Sequence, residues 1–154
     1  MEKIIEYIKN RSKFFDSLLH GLKHWKNVEK IGHHLANING TDKELITLFA
    51  YIHDLGRENE DEDVGYGERS VTILEDLYNK KIINIKPEKY QKLIYACRNH
   101  DSKTAQSDDL NIQTCWDADR LDLWRIGIEP NPKFLFTKEA KNPEITRLAK
   151  HIAK

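Results

Sequence analysis

The sequence has no surplus of charge. Lys+Arg and Asp+Glu each number 25, so the formal net charge is zero, and no global field draws the chain to a nucleic-acid polymer or an anionic membrane. It has no run of about 18 or more apolar residues, and its opening stretch, MEKIIEYIKN, mixes charge with apolar side chains. Neither a transmembrane helix nor a signal peptide is expected, and a soluble, intracellular, cytoplasmic protein is the expectation. Cysteine is scarce: Cys97 and Cys115 are the two present, too few for a disulfide framework and without zinc-finger spacing. Both are expected to be reduced and buried. Strand alternation, internal repeats, low-complexity tracts and inter-domain linkers are also missing. What is left is one domain of 154 residues, long enough to bury roughly 68–70% of the surface its unfolded chain would expose.

Apolar residues recur at helical spacing nearly throughout, which predicts an all-α domain, a bundle of about six to eight helices. Ile4, Ile5 and Ile8, then Phe14, Phe15, Leu18 and Leu19, mark one or two N-terminal helices; Leu22, Trp25, Val28, Ile31 and Leu35 mark the next. In TDKELITLFAYIHDLG, Thr41 and Glu44 read as a capping box, Leu45, Leu48, Phe49 and Ile52 as the buried stripe, and Gly56 as a C-terminal stop. Further helices are expected at about 66–79, at 87–100 opened by Pro87, at about 109–126 behind the capping candidates Ser107 and Asp108, and at 143–153 opened by Pro143.

Polar residues on these apolar faces are the candidates for chemistry. His53 and Asp54 stand side by side in the last turn of their predicted helix. His20 and His24 are four apart, with His24 closer to the apolar stripe and His20 at the helix entrance. In CWDADRLDLWRIGI, Asp119 lies in the stripe of Ile112, Cys115, Trp116 and Leu123, Asp117 is rotated off that line and Asp122 is near its edge. A buried carboxylate must be paired or metal-bound, so Asp119 is open to two readings, a ligand or a salt bridge to Arg120, Arg125 or a lysine. The loop RENEDEDVGYGERS carries five acids from Glu58 to Asp63, either a solvated loop or a cation-gathering one, with Gly65 and Gly67 allowing tight turns. Trp116, Trp124 and PNPKFLFTKEA are open to a core or an interface role, and the oligomeric state is unknown.

His24, the dyad His53-Asp54 and Asp119 in ADRL follow the H…HD…D order of the HD-domain superfamily of metal-dependent phosphohydrolases. HGLKHW, FAYIHDLGR, ACRNHD and CWDADRLDLWRIGI also resemble a small branch of that superfamily without an assigned function. The resemblance runs from about His20 to Ile128, with 129–154 expected as a C-terminal extension packed on the core of a single HD domain, 1–154. It implies a helical bundle in which His24, His53, Asp54 and Asp119 hold a divalent metal, and hydrolysis of a phosphate ester. Such a donor set suits one Mn, Fe, Co, Ni or Zn ion, with Mg less expected, and the metal would activate water.

A phosphoryl group would need cations beside the metal. Arg57 and Arg69 are the leading candidates, with Arg98, Lys103 and Arg120 behind them; His20 and Tyr66 are further substrate contacts. His100 could donate a proton, contact substrate or act as an outer ligand, oriented by Asp101, or be a helix-end histidine favoured by the dipole. His33, His34 and His151 are expected to be structural or exposed. Two departures from the HD pattern bear on mechanism. Arg57 stands where many relatives carry a water-positioning glutamate, leaving Glu58 as the nearest acid. Tyr66 stands where a histidine is expected, which leaves one metal rather than two. The expected partner is a small phosphorylated molecule, a nucleotide or phosphomonoester. A non-catalytic metal- or nucleotide-binding sensor is the alternative, and an HD-type oxygenase, needing a second iron, fits less well.

Overall fold

A computed structural model describes residues 1–154. It is all-helical: α1 (Glu2–Lys9), α2 (Leu22–Asn39), α3 (Lys43–Ile52), α4 (Tyr66–Asn79), α5 (Pro87–Asn99), α6 (Leu110–Leu121) and α7 (Pro143–Ala153), with 3₁₀ helices at Asp122–Ile126 and Pro132–Phe134. No helix is long and apolar enough to cross a membrane.

α3 is the centre of the bundle. Every residue from Leu45 to Ile52 except Thr47 is buried, because α2, α4, α5 and α6 all pack on it; a helix apolar all round belongs inside. α2 crosses it with Trp25, Val28, Ile31 and Leu35 inward. At the crossing, a Cβ on Gly32 would stand 2.3 Å from the Ile46 side chain, so the glycine lets the helices approach closely. The C-terminal α7 packs on α2 and on the Asp122–Ile126 turn. Trp116 is fully buried and donates its indole N–H to Ala96 O at 3.0 Å, whereas Trp124 is half-buried beneath Lys150, 4.8 Å from the ring centroid. Cys97 and Cys115 are both buried and free.

The helix termini correct several sequence expectations. The cap of α3 is Asp42, not Thr41: its carboxylate accepts from the Glu44 and Leu45 amides, while the Thr41 hydroxyl donates to Asn39. Asp109, not Ser107 or Asp108, caps α6 in the same way. Residues 11–20 form turns, not a second helix, because the Ser17 hydroxyl captures the amides of Leu19 and His20, local bonds that compete with a helical ladder. His20 therefore precedes α2 and does not share a helical face with His24.

Candidate metal centre

The end of α3 builds the first half of the site. His53 is its C-cap and Asp54 lies one residue beyond. The His53 Nδ1–H donates to Phe49 O and Ala50 O at 2.9 and 3.0 Å, satisfying carbonyls that a helix end leaves unpaired and turning Nε2 inward as a lone pair. The following turn is clamped by Ser70, whose hydroxyl donates to His53 O at 2.8 Å and accepts from Gly56 N at 2.9 Å.

α2 and α6 supply the other half. His24 Nδ1–H donates to Asp122 Oδ2 at 2.6 Å, and Asn27 donates to the other oxygen of that carboxylate at 3.0 Å. The His24 Nε2 is thereby left to face the cluster, 3.2 Å from that of His53. Asp54 Oδ2 lies 3.4 Å from both nitrogens, and Asp119 Oδ1 lies 3.1 Å from His24 and 3.4 Å from His53. Asp54 and Asp119 each thus approach both imidazole nitrogens, in two overlapping donor groups, His24, His53 and Asp119, and His53, Asp54 and His100. Neighbouring donors on an ion with bonds of about 2.1 Å stand about 3.0–3.4 Å apart, so the residues fit a divalent metal.

Without a metal, protons supply the missing positive charge. Burial lowers the His24 pKa, but hydrogen bonds with Asp119, Asp122 and Asp54 outweigh it and hold it up at about 10. Burial likewise pushes Asp54 and Asp119 up, yet the imidazoles of His53 and His24 hold both well below the usual carboxylate range.

The second of the two readings of Asp119 does not occur: its ion-pair partners are His24 and His53, not Arg120 or Arg125. Asp117 points elsewhere, accepting from the Phe136 amide and from the amide and hydroxyl of Thr137 at 2.7–2.8 Å, so it ties the C-terminal segment to α6. Asp117→Ala is expected to cost about 2 kcal/mol by orphaning buried donors, measured by urea unfolding, with metal stoichiometry unchanged. Asp122, which the sequence leaves near the edge of the helix face, is the acceptor behind His24; its spacing of three from Asp119, matched by His24 and Asn27, was the available signal. Because carboxylates behind histidine ligands tune affinity, Asp122→Asn is expected to weaken metal binding about 10–100-fold by calorimetry without unfolding the protein.

A cavity of about 470 Å³ opens onto this cluster, lined in part by His20, Asp54, Arg57, Tyr66, His100 and Asp119. The Arg57 guanidinium lies 4.0 Å from the Tyr66 ring centroid, with Nε 3.7 Å from Asp54 Oδ1. Burial, then Asp54 and Asp119, push the Tyr66 phenol far up, so it stays a neutral donor. His100 is oriented by Cys97 O, which accepts from its Nδ1 at 2.7 Å, not by Asp101. Its Nε2 has no hydrogen-bond partner and stands 3.5 Å from Asp54 Oδ1. Burial lowers the pKa of His100, but Asp54 and Asp119 outweigh it. His20 also lines the cavity, its pKa lowered to about 4 by burial. Lys103, Arg120 and Arg125 complete the basic lining.

Arg69, Glu58 and Arg98, all expected near the site, lie outside this cavity. Arg69 is committed to the loop, donating to Gly56 O at 2.7 Å and Val64 O at 3.1 Å and pairing with Asp63. Glu58 is 68% exposed, 3.6 Å from Arg69, and does not reach the cluster. The acidic loop is a surface structure, its Asp63 accepting from the Glu58 and Asn59 amides. Arg98 pairs with Glu68 at 2.6 Å, and His33 with Thr47 at 2.7 Å; His34 and His151 are exposed.

The fold is the HD-type helical domain. A crystal structure of a predicted HD superfamily hydrolase from an uncultured Thermotogales bacterium is similar over 98% of this chain and 85% of that one, with a TM-score of 0.72 at 20% identity. Residues 11–154 match the family model of the SidE phosphodiesterase (PDE) domain, and the chain belongs to that family. Among curated proteins none matches the sequence.

Proposed function

We propose that the protein is a divalent-metal-dependent phosphohydrolase that splits a small phosphorylated compound, a nucleotide or a related phosphate ester. The observation that carries this is the pair His24 Nε2 and His53 Nε2, 3.2 Å apart, with Asp54 Oδ2 and Asp119 Oδ1 each within 3.1–3.4 Å of both nitrogens, at the floor of a cavity with cationic walls. The family's description as a phosphodiesterase domain supports the same chemistry and brings diesters within range.

A divalent cation held by His24, His53, Asp54 and Asp119 would supply Lewis acidity toward a phosphoryl oxygen and acidify water near neutral pH. The chain's own groups do the rest. Asp122 fixes His24 in the Nδ1–H tautomer, and the α3 carbonyls do the same for His53. Arg57 and the Tyr66 hydroxyl face the cavity as donors for phosphoryl oxygens. A new P–O bond forms from the oxygen of water, whose proton leaves to solvent, as the ester P–O bond breaks, and the departing oxygen takes its proton from His100 Nε2. With Glu58 turned away, no glutamate acts as general base. The donors fall into two groups, His24, His53 and Asp119, and His53, Asp54 and His100, that share His53; its Nδ1 is committed to the α3 carbonyls, so its one remaining nitrogen supports a reading of one ion rather than two, which the two-iron oxygenase does not fit.

The test is release of phosphate or alcohol from a panel of nucleotides, phosphomonoesters and phosphodiesters with Mn, Co, Ni, Zn or Mg added to metal-stripped protein. Metal-dependent turnover that His53→Ala abolishes is the expected result. Stoichiometric metal with tight nucleotide binding and no turnover would instead make the protein a sensor. Because the ion must displace the proton on His24, metal affinity is expected to rise about tenfold per unit between about pH 6 and 9, and to level off near the His24 pKa of about 10. Calorimetric titration across that range checks it, and an affinity independent of pH contradicts it.

A further inference from the structure

The cavity over the donor cluster changes character with depth. Its deep residues are polar and buried: Asp54 is 5%, Tyr66 4% and His100 3% exposed. Toward the mouth two apolar side chains are open, Ile126 at 44% and Phe134 at 57% exposed, beside Lys103, Arg125 and Asn131, with Leu123 and the buried Pro130 and Leu135 in the same lining. Single exposed apolar side chains are ordinary, but here both line the cavity over the donor cluster, and Phe134 is held there. Arg120 donates to Phe134 O at 2.7 Å and to Ser102 O at 3.1 Å, joining the two loops that frame the mouth. A phosphoryl group needs only the floor, whereas about 470 Å³ is within the range that encloses a whole small-molecule ligand.

We infer that the mouth is a binding subsite for a flat apolar group, with Phe134 and Ile126 as specificity-determining residues. The preferred substrates are phosphate esters that carry an aryl or heteroaryl ring, over glycerol or sugar phosphates of the same charge. This rests on the phosphohydrolase reading of the floor. The ring covers apolar surface that otherwise stays wet, and pocket contacts of this kind discriminate by factors on the order of ten to a few hundred.

The test compares two non-cleavable ligands, naphthylmethylphosphonate and methylphosphonate, titrated calorimetrically into the Mn-loaded protein. They share the phosphonate dianion and differ by the ring. The expected result is tighter binding of the naphthyl compound by about tenfold or more, and a preference that collapses toward one in the double variant Phe134→Ala, Ile126→Ala. Both side chains are substantially exposed, so the variant keeps the core. Equal affinities in the parent protein, or a preference that survives the double substitution, would overturn the subsite while leaving the floor intact. If neither phosphonate binds, the phosphohydrolase reading fails and the subsite with it.

Discussion

Asp119→Ala is expected to lose its bound metal and, with it, turnover by a factor on the order of 10³ or more, equivalent to roughly 4 kcal/mol of transition-state stabilisation. The carboxylate lies 3.1 and 3.4 Å from the two imidazole nitrogens and is the only α6 group in the cluster, so nothing nearby can take its place. The fold should survive. In the metal-free protein Asp119 shares its partners with Asp54, which stays 3.4 Å from both histidines, and its removal leaves no buried donor without an acceptor. Metal analysis, turnover and circular dichroism on the same preparation check the three parts together. A variant that keeps stoichiometric metal removes Asp119 from the ligand set.

Gly56→Ala carries the largest expected cost to stability. A Cβ at Gly56 would stand 2.4 Å from Tyr66 O and from Ser70 N, and 2.7 Å from the Arg69 carbonyl carbon. All three are backbone atoms of α4, so no side-chain rotation relieves the clash, and the turn carrying His53 and Asp54 must separate from α4. More than about 3 kcal/mol is expected, at or above the usual cost of overpacking. The Ser70 clamp on His53 O and Gly56 N would open, so metal affinity should fall together with the melting temperature. Thermal unfolding with and without added metal measures both; a variant as stable as the parent would show that the turn is not packed on α4 as described.

The same glycine shows how far the sequence could be read. Gly56 was expected to stop the apolar helix, which instead ends at Ile52 with His53 as its C-cap; the glycine is needed because α4 lies against it, which no local pattern reveals. Helices opened by proline or flanked by clear apolar spacing, such as α4, α5 and α7, were legible to within about a residue. The segment at 11–20 was not, because Phe14, Phe15, Leu18 and Leu19 mimic a helical stripe while Ser17 diverts the local amides into turns. For the site, the dyad and two more residues in HD order were visible in the sequence, and the structure places each of the two carboxylates within 3.4 Å of both imidazoles. Asp122 was hidden by angle: one residue is about 100° of helix, and which of Asp117, Asp119 and Asp122 faces α2 depends on how α6 is rotated. Ser70 and the cavity wall from Pro130 to Leu135 lie outside any periodic pattern, since loops gain their neighbours only through the tertiary fold.

The central claim is that His24, His53, Asp54 and Asp119 together hold one divalent ion. Metal analysis of the purified protein, repeated after stripping and reloading with Mn, Co, Ni or Zn, tests it most directly. One equivalent per chain in the parent protein, lost in His53→Ala and in Asp119→Ala and kept in Asp117→Ala and His33→Ala, is the predicted outcome. No stoichiometric metal under any loading, or metal lost in Asp117→Ala and retained in Asp119→Ala, would contradict it.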